Sequence, residues 1–362
     1  MPTKIVTVVG ARPQFIKAAA VSRIIKAKYL SKFVEVIIHT GQHHDENMSR
    51  VFFDDLGIPV PNYNLGIAGG PHGQMTGRMI EALESVFVVE NPDWVLVFGD
   101  TNSTLAATLA AAKLHIKVAH IEAGLRSFNM KMPEEINRIV ADRLSALLLC
   151  PTIKSVENLS KEGIGNGVHL VGDVMYDVAL HYADRAREKI GILSNLGAIP
   201  KNYVLATCHR AENTDCRESL LNIGMGLAEI SKSRLVIMPM HPRTKLKIKE
   251  FGLASTFSSI CTIDPLPYLE MAALESNAEI IVTDSGGVQK EAFFYRVPCV
   301  TIREETEWIE TVDAGWNILV GSDASNLIDA VDGYAHRKMS NIDPYGNGDA
   351  TERILKIVAS LN

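Results

Sequence analysis

Short apolar runs alternate with helix-compatible segments along almost the whole chain. The runs lie at residues 5–9, 34–40, 94–98, 118–121, 146–150, 168–171, 203–206, 235–238, 260–263, 279–283 and 299–302. Most are apolar at successive positions and not only at every second one, which indicates strands buried on both faces of a parallel sheet. Strands that alternate with helices in this way are typical of α/β proteins, whose helices cover both faces of the sheet.

A polar helical segment at residues 174–190 and a loop at 191–201 interrupt this pattern, and the alternation then starts again. We therefore expect two Rossmann-like, doubly wound α/β domains with a cleft between them. The first is predicted over residues 1–171 and the second over residues 172–345, followed by a last helix at 349–361. At 362 residues the chain is long enough for each domain to have its own core.

Charge and cysteine content exclude several classes of protein. The net charge of −6 gives no general attraction to nucleic acid or to an anionic membrane. No apolar run is long enough to span a membrane, and the N-terminal residues lack the apolar region of a signal peptide. The five cysteines are odd in number and show no paired metal-ligand spacing, which favours a reducing compartment. We therefore expect a cytoplasmic protein.

Polar residues collect at the predicted carboxyl ends of strands in both halves of the chain. They are Arg12, Gln42, His43, Asp100, Glu122, His209, Arg210, His241, Asp284 and Ser285. Because ligands of parallel sheets bind outside the carboxyl ends of the strands, this distribution predicts one active cleft.

The first strand–helix loop argues against a nicotinamide cofactor. Gly10 is the one glycine there that fits the dinucleotide-binding pattern, so no NAD is expected. Arg12 and Lys17 would supply positive charge to a phosphate or hold a catalytic carboxylate, and the alternative is that both are ordinary surface charges. His43 and His44 have no evident third ligand, so no metal site is expected.

The segment from Asp284 to Phe293 has the features of an anion site. Ser285 is a good helix N-cap, and Gly286 and Gly287 leave room for a ligand against the backbone. Unpaired N–H groups and the helix dipole would then favour an anion such as a diphosphate. The alternative is an ordinary turn between a strand and a helix that contains a pair of glycines.

Three carboxylates from neighbouring strand ends, those of Asp100, Glu122 and Glu134, are candidates for proton transfer. If they converge, burial near like charge would raise some of their pKa values, which suits the removal and return of a proton. Helix capping by Asp100 and a favourable helix-terminal charge at Glu134 are the structural alternatives. His209 is a candidate general acid or phosphate ligand.

Seven motifs in this order resemble the non-hydrolysing UDP-N-acetylglucosamine 2-epimerases, and they cover nearly the whole chain. They are Gly10-Ala11-Arg12-Pro13 with Lys17, Thr40-Gly41-Gln42-His43, Gly99-Asp100-Thr101, Glu122-Ala123-Gly124-Leu125-Arg126, Pro133-Glu134-Glu135-Ile136-Asn137-Arg138, residues 207–213 and residues 284–291. The resemblance implies a GT-B arrangement of the two domains, with the last segment, 349–362, returning to the first. It also implies a UDP-sugar substrate, usually a homodimer, no NAD and no required metal.

The reaction that the resemblance implies inverts C2 of a UDP-2-acetamido sugar, interconverting UDP-GlcNAc and UDP-ManNAc. UDP leaves as a proton leaves C2, and UDP adds back to the 2-acetamidoglucal after reprotonation on the other face. The implied catalytic residues are Asp100, Glu122, Glu134 and His209. The implied substrate and UDP ligands are Arg12, Lys17, Arg210, His241, Ser285, Gly286, Gly287, Gln289, Glu291 and Arg303, with Glu291 on the ribose. A regulatory substrate site known in some bacterial members would involve Gln42, His43 and Arg78.

Two departures from the family pattern bear on the sugar. The enzymes that act on UDP-GlcNAc commonly have Thr-Glu-Arg-Pro-Glu after the last strand, where this chain has Thr306-Glu307-Trp308-Ile309-Glu310. They also tend to have an asparagine two residues after a loop histidine, where this chain has His241-Pro242-Arg243. Both are similar to the branch that acts on UDP-2,3-diacetamido-2,3-dideoxy-glucuronate, for which a buried Arg243 would bind the sugar carboxylate. A GT-B glycosyltransferase and a hydrolysing epimerase are the rival classes of enzyme.

Overall fold

The computed structural model describes residues 2–42, 57–334 and 338–361. The strands are β1 Thr3–Val9, β2 Phe33–His39, β3 Tyr63–Asn64, β4 Trp94–Phe98, β5 Lys117–Ile121, β6 Leu147–Cys150, β7 Val168–Leu170, β8 Tyr203–Thr207, β9 Leu235–Pro239, β10 Cys261–Ile263, β11 Ile280–Thr283, β12 Cys299–Thr301 and β13 Asn317–Leu319. The helices are Arg12–Ile24, His72–Glu90, Asn102–Lys113, Pro133–Leu144, Ile153–Lys161, Val174–Glu188, Gly191–Asn195, Ala211–Thr214, Arg217–Ile230, Pro242–Glu250, Tyr268–Asn277, Gly286–Phe294, Ile309–Asp313, Ala324–Gly333 and Ala350–Ser360.

The first sheet has the strand order β3-β2-β1-β4-β5-β6-β7, and every pair of neighbours is parallel. Its central strand β4 is buried at all five positions, as the apolar run predicts. The helices His72–Glu90 and Asn102–Lys113 pack on one face. On the other face the helix Arg12–Ile24 packs its Phe15 ring against His39, at 4.9 Å between ring centroids.

The second sheet has the order β10-β9-β8-β11-β12-β13 and is also parallel throughout. The helices Arg217–Ile230 and Ala324–Gly333 cover one face, whereas Tyr268–Asn277 and Gly286–Phe294 contribute to the core on the other. Two parallel sheets with helices on both faces confirm the predicted α/β class and its doubly wound architecture.

By internal contacts the chain divides into a first unit of Met1–Leu180 with Asp343–Asn362 and a second unit of His181–Ile342. The helix Ala350–Ser360 therefore belongs to the first unit. The Asp177 carboxylate accepts the backbone N–H groups of Ala350, at 3.1 Å, and Thr351, at 2.7 Å. Ile354, Leu355 and Val358 of this helix are fully buried.

Local details differ from the sequence prediction. Strands β3 and β13 were not predicted, and the predicted loop at 191–201 begins with the helix Gly191–Asn195. A π-helical turn, Ile25–Tyr29, extends the first helix. The helix predicted at residues 45–56 lies outside the described residues. None of the helices among residues 2–42, 57–334 and 338–361 has the length and apolarity of a membrane span.

Candidate functional site

In the first unit, Gln14 joins the loops that follow β1 and β4. Its Oε1 accepts the backbone N–H of Gly10 at 2.8 Å, and its Nε2 donates to the Phe98 carbonyl at 2.6 Å. The same amide group is 3.0 Å from Thr101 Oγ1, and the side chain is buried. Sequence reasoning did not assign Gln14, since a glutamine in a helix gives no sign of which loops it contacts.

Glu122 follows β5 and pairs with Lys17 from the helix Arg12–Ile24. Both side chains are buried, and the contact joins Lys17 Nζ to Glu122 Oε2. Glu122 has a φ of +69°, in the left-handed region that non-glycine residues rarely occupy. The structure therefore brings these two predicted residues together, and it holds the carboxylate in a strained backbone conformation typical of functional sites.

Asp100 follows β4 and pairs with Arg138 from the helix Pro133–Leu144, at 2.5 Å between Oδ2 and Nη2. Asn137 of the same helix donates to the Asp100 carbonyl at 2.8 Å. Both residues belong to the motif Pro133-Glu134-Glu135-Ile136-Asn137-Arg138, which by itself indicates no role for either. Two of the three predicted carboxylates therefore each form an ion pair with a basic side chain, Glu122 with Lys17 and Asp100 with Arg138.

Glu134 and its neighbour Glu135 have different surroundings. Glu135 is buried and accepts the N–H groups of Ser127 and Phe128 at 2.9 Å, as well as Arg138 Nη1 at 2.8 Å. It therefore holds the loop before the helix. Glu134 is half-buried, and the part of the chain that the structure describes offers its carboxylate no hydrogen bond or ion pair. Glu134 is thus the carboxylate left for a ligand at the start of this helix.

The remaining predicted residues of the first unit lie around these pairs. Arg12 is half-buried at the first position of its helix. Gln42 Oε1 accepts the N–H of Ser103 at 3.0 Å, which joins the loop after β2 to the first turn of the helix Asn102–Lys113. Arg78 is exposed and donates to the Gly69 carbonyl at 2.9 Å. His43 lies outside the described residues.

In the second unit, the buried Asp284 carboxylate organises the loop after β8. It accepts the backbone N–H groups of His209, at 2.9 Å, and Arg210, at 2.9 Å, as well as Asn213 Nδ2 at 3.1 Å. His209 Nδ1 is 3.3 Å from the same carboxylate, and its side chain is 36% exposed. The described residues provide no hydrogen-bond partner for His209 Nε2, so this nitrogen is available to bind a ligand.

The helix Gly286–Phe294 begins with the predicted cap, because Ser285 Oγ accepts the N–H of Val288 at 3.5 Å. A Cβ built on Gly287 would meet only Ser285 Oγ, at 3.8 Å. A Cβ built on Gly286 would lie 2.9 Å from Glu307 Oε1 and 3.1 Å from Trp308 Nε1. The space beside Gly287 is therefore open, as an anion site against the backbone requires.

Two arginines flank the Glu307 carboxylate next to this helix start. Arg303 Nη1 is 3.0 Å from Glu307 Oε2, and Arg210 Nη2 is 3.6 Å from Oε1. Arg303 is buried, and its Nη2 has no hydrogen-bond partner within the described residues. Arg303 Nε is also 3.5 Å from Glu212 Oε1, so the two arginines are balanced by two carboxylates. The unpaired Nη2 of Arg303 and the positive end of the helix dipole are the features that favour a diphosphate here.

Gln289 has a structural contact that the sequence did not predict. It is fully buried, and its Oε1 accepts Thr306 Oγ1 at 2.7 Å and Asn317 Nδ2 at 3.1 Å. Glu291, two residues further on, is also buried.

The pKa of Glu275 is raised well above its ordinary value. Burial is the larger cause, and the charge of Glu291 is the smaller one.

His241 is exposed and caps the helix Pro242–Glu250, and its ring centroid lies 5.4 Å from that of His209.

Arg243 was expected to be buried and to bind the carboxylate of the sugar, and the structure corrects this expectation. It is exposed and not buried, and its guanidinium already pairs with Asp215 and donates to Thr214 Oγ1 at 2.9 Å. The other departure, Trp308, is buried, with Lys290 Nζ 4.0 Å from its ring centroid.

No cluster of three or more metal-binding side chains occurs among residues 2–42, 57–334 and 338–361.

Comparison with known proteins gives matches over nearly the whole chain. The family model described as UDP-N-acetylglucosamine 2-epimerase matches residues 26–359. A UDP-2,3-diacetamido-2,3-dideoxy-D-glucuronate 2-epimerase of Pseudomonas aeruginosa is 50% identical over 99% of this chain and 100% of its own. A UDP-N-acetylglucosamine 2-epimerase homolog of Methanococcus maripaludis is 49% identical, with the same coverage. The crystal structure of Methanocaldococcus jannaschii UDP-GlcNAc 2-epimerase in complex with UDP-GlcNAc and UDP has a TM-score of 0.92, 43% identity, and coverage of 99% of this chain and 100% of that one.

Proposed function

The chain belongs to the UDP-N-acetylglucosamine 2-epimerase family, and from that membership we propose that it interconverts UDP-GlcNAc and UDP-ManNAc. It is an isomerase of the UDP-sugar 2-epimerase class. In the first half-reaction a carboxylate removes the C2 proton, the C1–O bond breaks, a double bond forms between C1 and C2, and UDP leaves with the bonding electrons. In the second half-reaction C2 gains a proton on the opposite face and UDP adds back to C1.

One observation supports this chemistry above the others. Two carboxylates, Asp100 and Glu122, follow neighbouring strands of one sheet, and each pairs with a basic side chain. Proton transfer on both faces of a carbon needs two positioned acid–base groups, and these carboxylates with Glu134 provide them.

The second unit would hold and release the UDP. The backbone N–H groups of Gly286 and Gly287 with the Ser285 hydroxyl would bind the diphosphate, and Arg210 and Arg303 would add charge-assisted hydrogen bonds. His209, oriented by Asp284, has Nε2 available for the oxygen that accumulates charge as the C1–O bond breaks. Glu291 would bind the ribose hydroxyls, while Arg12, Lys17 and His241 would complete the substrate contacts.

A second candidate substrate is UDP-2,3-diacetamido-2,3-dideoxy-glucuronate, favoured by the 50% identical relative that bears that name. A contact between Arg243 and the sugar carboxylate does not support this substrate, because the guanidinium of Arg243 pairs with Asp215. Turnover of both nucleotide sugars by one preparation decides between them. A kcat/KM more than about tenfold higher for the glucuronate, the effect of one charge-assisted hydrogen bond, would reassign the substrate.

We further propose that the enzyme works in the cytoplasm as a homodimer and supplies its product to polysaccharide biosynthesis. The family resemblance is the support for each of these points. Sedimentation of the purified protein at micromolar concentration tests the assembly, since a monomer and a dimer of a 39.6 kDa chain are readily separated.

Incubation with UDP-GlcNAc alone in heavy water, followed by chromatography and NMR, tests the reaction. We expect UDP-ManNAc with deuterium at C2 and no added cofactor, because the C2 proton exchanges with solvent. ¹⁸O placed in the bridge between C1 and the β-phosphorus should move to non-bridging positions, since free UDP rotates before it re-adds. Irreversible release of sugar and UDP would indicate a hydrolysing epimerase, and turnover only with an acceptor would indicate a glycosyltransferase.

Variants of the two paired carboxylates extend this test. Glu122→Gln and Asp100→Asn should each lower kcat by about 100- to 10,000-fold, the usual contribution of general acid–base catalysis, while UDP still binds. Glu84→Gln, an exposed change on the helix His72–Glu90, is the control. Full activity of a folded Glu122→Gln protein would exclude this carboxylate from the proton transfer.

A further inference from the structure

A buried polar chain lies beneath the loops that carry Asp100 and Glu122. His120 Nδ1 is 2.7 Å from Asp142 Oδ1, and Arg126 Nη1 is 2.7 Å from Asp142 Oδ2. Arg126 also binds both oxygens of Glu162, at 2.6 and 2.8 Å. The side chains of His120, Asp142 and Arg126 are at most 1% exposed. Burying three such polar side chains costs free energy unless they are paired and hydrogen-bonded, as these three are.

The hydrogen-bond partners fix the role of each nitrogen of His120. Its Nε2 is 2.7 Å from the Gly99 carbonyl oxygen, which can only accept, so Nε2 carries a proton. Asp142 Oδ2 accepts the Gly124 N–H at 3.1 Å as well as Arg126. Burial opposes the charge of Asp142, but the hydrogen bond and charge of His120 and the charge of Arg126 outweigh it and lower its pKa. His120 Nδ1 is at hydrogen-bond distance from Asp142 Oδ1, so Asp142 fixes the orientation of the ring whose Nε2 holds the Gly99 carbonyl.

These contacts hold both carboxylate loops at once. Gly99 directly precedes Asp100, and its carbonyl is bound by His120. Gly124 lies two residues after Glu122, and its N–H is bound by Asp142. Gly99, Glu122 and Gly124 all have positive φ values, of 60°, 69° and 81°, so this backbone needs external contacts to keep its shape. A Cβ built on Gly99 would lie 3.2 Å from Glu122 Oε2, which shows how close the two loops are.

We infer that His120, oriented by Asp142, is a positioning residue that fixes the placement of Asp100 relative to Glu122. This inference rests on the proposed function, in which these carboxylates exchange the C2 proton. His120 itself does not touch the substrate. Because the proposed UDP contacts at Ser285, Gly286 and Gly287 are in the second unit, loss of His120 should lower kcat without changing the affinity for UDP.

Two conservative variants separate the two hydrogen bonds of His120. The amide of His120→Gln reaches the place of Nε2 and keeps the bond to the Gly99 carbonyl, whereas that of His120→Asn reaches the place of Nδ1 and keeps only the bond to Asp142. We expect His120→Asn to lower kcat about 100-fold, the effect of misplacing catalytic groups by about 1 Å, and His120→Gln to retain most of the activity. KM and the Kd of UDP should stay within about twofold of wild type, since no substrate contact is lost.

His115→Asn is the matched control, because it makes the same change in an exposed turn with a φ of +59°, which asparagine tolerates. Glu162→Gln provides a variant that keeps the fold if His120→Asn does not, since the Glu162 side chain is 32% exposed. It should lower kcat by about two- to fivefold with an unchanged Kd for UDP, because it weakens one partly exposed ion pair. Equal activity of folded Asn and Gln variants, or an unchanged kcat in Glu162→Gln, would overturn the inference.

The wild-type assay keeps this inference separate from the proposed function. A wild-type protein that epimerises neither UDP-GlcNAc nor the glucuronate refutes the function, and crystal structures then decide the positioning role. A shift of about 1 Å between the Asp100 and Glu122 backbones in His120→Asn would still support it. Superimposable loops would reject it. An active wild type with an equally active His120→Asn variant rejects only the positioning role.

Discussion

Gly287 is the residue at which the structure leaves open space beside the start of the helix Gly286–Phe294. A Cβ added there lies no closer than 3.8 Å to Ser285 Oγ, its one neighbour within 4 Å, so we expect Gly287→Leu to fold. We expect it to abolish measurable UDP binding, because leucine would occupy the place where the diphosphate meets the backbone. Ser285→Ala should cost only about 0.5–1.5 kcal/mol, the contribution of one hydrogen bond. Isothermal titration calorimetry with UDP measures both.

Gly286→Ala is the contrasting variant at this site. Its Cβ would lie 2.9 Å from Glu307 Oε1, so any loss of UDP affinity there mixes a protein clash with a ligand clash. Unchanged UDP affinity in a folded Gly287→Leu protein would rule out the assignment of the diphosphate to this helix start.

Glu275 makes stability depend on pH. Burial and the neighbouring Glu291 raise its pKa above the ordinary value of 4.5, so the folded protein keeps a proton that the unfolded chain releases above that value. The stabilisation from the neutral acid is complete below 4.5 and is lost as pH rises towards the raised pKa. Between about pH 5 and pH 7, Glu275→Gln should therefore become more stable relative to wild type, by at most about 1.4 kcal/mol per pH unit.

Thermal denaturation of both proteins across this pH range measures the difference. Glu270→Gln, a half-buried change on the same helix, is the control and should follow the wild-type curve. A constant difference between Glu275→Gln and wild type at all pH values would show that Glu275 titrates alike in the folded and unfolded states.

At this scale the sequence predicts which residues carry charge to the strand ends but not which partner each meets. Glu134 and Glu135 look equivalent in the sequence, yet Glu135 is taken up by Ser127, Phe128 and Arg138. The sequence predicts Arg243 as a ligand for a sugar carboxylate, but in the structure Arg243 pairs with Asp215. Contacts between distant segments, such as His120 with Asp142, have no local signature, because pairing depends on how the helices pack.

At the scale of elements, the helix Ala350–Ser360 is attached to the first unit through Asp177. Its carboxylate accepts the first two N–H groups of the helix, which would otherwise be buried without partners. Asp177→Ala should lower the free energy of unfolding by about 1–3 kcal/mol and expose the helix to proteolysis. Denaturant unfolding and limited proteolysis measure these effects.

Asp184→Asn is the control, because Asp184 lies on the same helix, 88% exposed, and pairs only with Arg187 among the contacts of the described chain. Equal protease sensitivity of the Asp177→Ala and wild-type proteins would mean that apolar packing alone holds the last helix.

The elements themselves follow from the sequence to different degrees. Strand β4 is apolar at each position and β8 at all but its last, Thr207, so their burial in a parallel sheet was predictable. Strand β13 was missed because it begins with Asn317, whose buried side chain is satisfied by Thr301 and Gln289. Strand β3 has two residues in a loop rich in Pro and Gly, and it is defined by their pairing with β2, Tyr63 with Ile38 and Asn64 with His39.

At the scale of the whole molecule, the two units differ in how the chain builds them. The second unit is one continuous segment, His181–Ile342, whereas the first also needs Asp343–Asn362. A chain ended after Ile342 would lose the burial of Ile354, Leu355 and Val358, worth about 1.5–3 kcal/mol each, out of a typical domain stability of 5–15 kcal/mol. We expect such a chain to lose epimerase activity and the cooperative unfolding of its first unit while still binding UDP.

Differential scanning calorimetry with and without UDP resolves the two units. In the truncated chain one transition should remain, and UDP should raise its midpoint, since a ligand stabilises the unit that binds it. Full loss of UDP binding would show that the nucleotide site depends on residues of the first unit.

The return of the last helix to the first unit sets an order for folding during synthesis. Ribosomes extend the chain from its amino end, and domains generally fold as units as they emerge. The first unit is begun before the second, yet it cannot close until the residues after Ile342 have been made. While the second unit is being translated, the surface that Ile354, Leu355 and Val358 later cover is exposed to solvent. The nascent enzyme therefore presents chaperones with an incomplete first unit beside a second unit that is already complete.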